Sequence, residues 1–116
     1  MQELYKQIHI YLNMGEEIEF EEFDIYYKNV IDHFNDHADE FEEEDVWKAL
    51  FISENVMSNA DVRAKDEKGS KSKKYKKAAQ RLSLWAKNFT SRLNDMGYSK
   101  EEMNERYEKM FEDGVN

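Results

Sequence analysis

Cysteine and proline are both absent from the 116 residues, and glycine occurs four times. Without cysteine the chain has no disulfide, no thiolate zinc site, no iron–sulfur cluster and no thiol nucleophile. Without proline, and with glycine confined to positions 15, 69, 97 and 114, nothing stops long helices from forming. The isolated glycines also exclude a phosphate-cradling loop, and no serine lies in a Gly-x-Ser-x-Gly turn. Apolar runs are short. None has the length of a secretory signal core or a membrane span, so a soluble, cytoplasmic protein with no membrane partner is expected.

Basic residues are nearly missing from the first sixty positions, where Lys6, Lys28 and Lys48 stand against sixteen Asp and Glu. Fourteen of those acids fall between positions 16 and 45. The balance then reverses: from Lys71 to Arg92 there are eight basic residues and no acidic one. The net charge of −9 therefore conceals a strong segregation. Acidic and basic helices lying side by side would neutralise each other. Otherwise, one of the two segments is a working surface.

Apolar residues make up 40% of the chain and aromatics 14%, enough to fill the core of a single domain spanning 1–116. Their spacing predicts an all-α fold, a compact bundle of four to five helices. Leu4, Tyr5, Ile8, Tyr11 and Leu12 mark a first helix over 2–14, with Gly15 placed to cap it. The alternation at 17–20 predicts an extended segment leading into a second helix over 20–34. Its core stripe is Phe20, Phe23, Tyr27, Val30 and Phe34, continuing to Phe41. A third helix starts among the acids at 42–45, is apolar almost all round, and ends or kinks at 58–61. A mobile loop over 66–72 follows. Tyr75, Ala78, Ala79, Leu82, Trp85, Ala86, Phe89, Leu93 and Met96 trace a fourth helix over 72–96, stopped by Gly97. Ser99 and Glu102 form a capping box for a fifth. Trp47, Leu50, Phe51, Leu82, Trp85 and Phe89 should be buried together between the third and fourth helices.

Three sets of side chains can carry function. The acids Glu19, Glu22, Asp36, Glu40, Glu42, Glu43 and Glu44, with Tyr26 at the stripe's edge, form a candidate surface for a protein partner with a basic groove. By size and charge the chain looks like the small acidic helical inhibitors that phages and mobile elements direct against bacterial defence nucleases, anti-CRISPR-like or DNA-mimicking. Lys74, Lys77, Arg81 and Arg92 form the alternative, a nucleic-acid-binding stripe on the basic helix 71–92. His33 and His37, four apart, are the third set, with the spacing to chelate a metal in a helical-bundle enzyme. The first reading is non-enzymatic and needs no cofactor. Ile18, Glu22 and Phe23 resemble the end of an EF-hand loop. Tyr11, Asn13, Gly15 and Glu16 stand where that family places its first ligands and its glycine, so no calcium ligand is carried over.

Overall fold

The computed structural model describes residues 1–114. It contains α1 (Gln2–Leu12), α2 (Phe20–His37), α3 (Glu43–Asp66), α4 (Ser70–Asp95) and α5 (Lys100–Met110). Short 3-10 turns follow α2 (Ala38–Glu40) and α5 (Phe111–Gly114), and there is no strand among the described residues. The fold is an all-α bundle, as the breaker-poor sequence predicts.

The framework is the antiparallel pair α3–α4. α3 is apolar almost all round over 46–53, where Val46, Ala49, Phe51 and Ile52 are wholly buried. It does not end or kink at 58–61. Val56, Ala60 and Ala64 continue its contact face, and burial outweighs the weak helix propensity of Ser58, Asn59 and Asp61. The predicted loop over 66–72 shrinks to three residues. Gly69 adopts a positive φ of 71° to make the turn, and the Ser72 hydroxyl, already inside α4, donates to the Ala64 carbonyl at 2.7 Å.

α2 runs parallel to α4. Phe20 and Phe23 at its start meet Tyr75, while Phe34 near its end meets Trp85 and Phe89. The helix stops at His37, and the 3-10 turn carries Phe41 back onto Phe34 and Phe89. Trp85 departs from expectation. It is half-buried and stacks on Phe34 and Phe89 on the α2 side, whereas Trp47 is buried on the opposite side against Tyr98. The two indoles thus belong to different faces of the α3–α4 pair.

α1 lies antiparallel to α2, with the Tyr26 hydroxyl donating to the Leu4 carbonyl at 2.7 Å. It ends three residues short of Gly15. Asn13 is its C-cap, and the Asn13 amide returns to the His9 carbonyl at 2.8 Å. The last turn closes the bundle: Phe111 packs on Phe51, and the Tyr5 hydroxyl donates to Asp113 Oδ2 at 2.7 Å. At the other end of α5, Gly97 turns with φ of 103° and the Ser99–Glu102 capping box forms on both sides.

Candidate functional site

Helix direction decides where the charges go. α2 is 18 residues long, so by a rise of ~1.5 Å per residue its two ends are about 27 Å apart. Glu19 is its N-cap and Glu22 lies in its first turn. Asp36 lies in its last turn, with Glu40 in the 3-10 turn beyond and Glu42, Glu43 and Glu44 at the start of α3. The expected acidic surface therefore divides. Asp36, Glu40, Glu42, Glu43 and Glu44 gather at the α2–α3 corner, while Glu19 and Glu22 sit at the far end of α2.

At the far end, α2 lies against the start of α4: Lys71 and Lys74 sit over the Phe20 ring, and Glu17 lies 3.8 Å from the buried Arg63 guanidinium. Residues 16–24 carry six carboxylates and residues 61–67 three more, against nine Lys and Arg between 63 and 81. Charge there is balanced over the surface as a whole, with Glu17–Arg63 the one contact pair that joins these segments among the described residues.

The corner is different. Positions 32–45 hold eight carboxylates and no Lys or Arg. Asp32, Asp36, Asp39, Glu40, Glu42, Glu43 and Glu44 are exposed and Asp45 is half-buried. Arg92 reaches this corner, but its Nη1 donates to the Ala38 carbonyl at 2.6 Å and so caps the end of α2. Glu43 accepts from the Tyr98 hydroxyl at 2.9 Å, and Glu40 lies 4.0 Å from His37 Nδ1. Asp32, Asp39 and Asp45 belong to this group and were not singled out in the sequence. The signal was present as fourteen consecutive positions without a basic residue. The long axis of the molecule is 43 Å, several times the ~8 Å over which salt screens exposed charges. The cations at the start of α4 leave the corner's field intact.

Tyr26 is not a surface residue. It is buried, its hydroxyl is committed to Leu4, and burial raises its pKa well above the usual phenol value. Of the basic set, Lys74, Lys77 and Arg81 are exposed along a shallow groove between α2 and α4 that also receives Tyr27, Lys28 and Asp24. Arg92 is separated from them by its bond to Ala38.

His33 and His37 pack ring against ring at 4.9 Å, and His33 lies on the Phe41 ring. Burial lowers the His33 pKa, helped by the N-terminal amine and His37 and opposed by Asp45 and Asp36. Among the described residues no group of three or more metal-ligating side chains is assembled around the pair. No helix among them is long and apolar enough to cross a membrane. The chain matches no protein-family model, no curated protein and no solved structure.

Proposed function

We propose that this protein works without catalysis, by presenting the carboxylates of the α2–α3 corner to a macromolecule with a basic face. The observation that carries the reading is the exposed group of acids over 32–45, which contains no Lys or Arg and outnumbers the Arg92 guanidinium that reaches it to cap α2. Helix electrostatics add support. Asp36 lies in the last turn of α2, where the dipole disfavours a negative charge, and Asp39 and Glu40 follow it. The dipole gives folding nothing from Asp36, while Glu43, Glu44 and Asp45 suit the first turn of α3; steering toward a cationic groove would draw on all of them. In its sharpest form the partner is a bacterial defence nuclease, and the protein is a phage or mobile-element inhibitor that occupies its nucleic-acid groove as a DNA mimic.

The test compares two charge reversals of the immobilised protein in bacterial lysate, with captured proteins quantified by mass spectrometry and affinities then measured by calorimetry. Asp36→Lys with Glu40→Lys and Glu42→Lys should weaken the specific partner at least tenfold. Lys74→Glu with Lys77→Glu and Arg81→Glu should leave it nearly unchanged. A second reading, nucleic-acid binding, is favoured by the gathering of Lys28, Lys74, Lys77 and Arg81 beside Tyr27 in the α2–α4 groove. It predicts the opposite ranking, with binding of plain DNA that falls steeply as salt rises.

A further inference from the structure

A cavity of about 290 Å³, open to solvent on one side, lies at the end of the molecule away from the acidic corner, lined by α1, the connection over 13–19, the first half of α2 and the middle of α3. Its inner wall is apolar, formed by the buried side chains of Ile8, Phe23, Tyr26 and Val56. A space of that volume corresponds to roughly ten waters of bulk liquid, yet an apolar wall offers them few partners. A molecule of matching shape bound there would stabilise the fold by mass action.

The polar groups around it select the kind of molecule. Most of their donors are spent. The Tyr26 hydroxyl donates to Leu4, and the Asn55 amide donates to the Phe51 carbonyl at 2.8 Å and to the Tyr107 hydroxyl at 3.1 Å. The Tyr11 hydroxyl faces the Glu22 carboxylate. What remains is the Asn55 carbonyl oxygen, the Asn59 amide, and the Glu16 carboxylate at the mouth, the neighbouring Glu17 being held 3.8 Å from Arg63. Acceptors and negative charge dominate, and no Lys or Arg lines the space. We infer that this cavity binds a small organic amine, with an aromatic or branched apolar body against Phe23 and Val56 and an ammonium group held at Asn55 and Glu16. The ammonium donates to the Asn55 and Glu16 oxygens, and the apolar body displaces poorly bonded water.

The test is a titration of isotope-labelled protein followed by amide NMR shifts, with 2-phenylethylamine as probe and 2-phenylethanol and 3-phenylpropanoate as matched controls. The amine should saturate with a Kd below about 1 mM, within reach of a ligand this small. Shifts should centre on Asn55, Val56 and Asn59. The alcohol should bind several-fold more weakly and the carboxylate more weakly still. Glu16→Gln, at an exposed position, should weaken the amine about threefold or more and leave the alcohol unaffected. Val56→Phe should abolish binding of both by filling the space, and Val56→Met should weaken both if the larger ring unfolds the protein. Equal affinity for amine and carboxylate, equal affinity for amine and alcohol, shifts confined to residues 32–45, or no saturation would each overturn the assignment. These outcomes are independent of charge reversal at the acidic corner.

Discussion

His9 is buried between the rings of Tyr5 and Phe51, and neither ring nitrogen has a hydrogen-bond partner among the described residues. Burial lowers its pKa, with Asp113 pulling weakly the other way, and burial lowers that of His33 as well. Both groups resist protonation in the fold but accept a proton near pH 6.5 when unfolded. Above that pH both states are neutral and the histidines contribute no slope. Below it the unfolded chain binds more protons, so stability should fall as pH drops. Urea melts between pH 7.5 and 5.5 should show the loss, and His9→Phe should remove part of the slope while leaving neutral-pH stability unchanged or higher. Tyr26→Phe should cost about 0.5–1.5 kcal/mol through the lost bond to Leu4, with no change in partner capture. Phe89→Ala should cost about 3–5 kcal/mol, because Phe89 is wholly buried under Phe34 and Trp85. Trp85→Ala should cost less, about 2 kcal/mol, because part of that indole stays in water. A larger loss for Trp85 than for Phe89 in the same melts would reverse their assigned burial.

At the level of the helix, the signals that were local in the sequence proved readable and those that depended on a neighbour did not. The capping box needs only Ser99 and Glu102, and it formed as their spacing required. Ser99→Ala should therefore remove about 1 kcal/mol, read as a lower midpoint and as faster amide exchange confined to the start of α5. The turn at Gly97 was equally local, since only a residue free to take a positive φ ends α4 there. Gly15 misled because a side chain reached the end of α1 first: Asn13 closes that helix on the His9 carbonyl. The continuity of α3 through 58–61 was hidden for another reason. Its polar residues read as a break, and only the packing of Ala60 and Ala64 on α4 keeps them helical. The same dependence misplaced Tyr26, whose position at the edge of a stripe cannot reveal that α1 covers that edge.

Across the whole molecule, composition exposed the charge segregation but not which charges meet. That required the parallel course of α2 and α4, which sets the acids of 16–24 beside the lysines and leaves 32–45 without them. Like charges crowded at one corner repel, so raising salt from low ionic strength should increase the melting temperature as that repulsion is screened. Asp36→Lys should stabilise the fold by about 0.3–1 kcal/mol, by relieving repulsion and favouring the end of α2, while weakening partner capture. A variant that gains stability and loses binding together separates the corner's two roles. A destabilised Asp36→Lys would contradict the electrostatic account of the corner.

The bond from Tyr5 to Asp113 joins residues 108 positions apart, and Phe111 packs edge-on against Phe51. A ribosome delivers these partners in the wrong order for early folding. α1 leaves the tunnel first and must wait for nearly the whole chain before its final neighbours exist. Stalled nascent chains ending at residue 95 should thus remain open to protease within α1, whereas chains extended far enough for residue 114 to clear the tunnel should resist. Completion of this bundle waits on its last described turn rather than proceeding helix by helix.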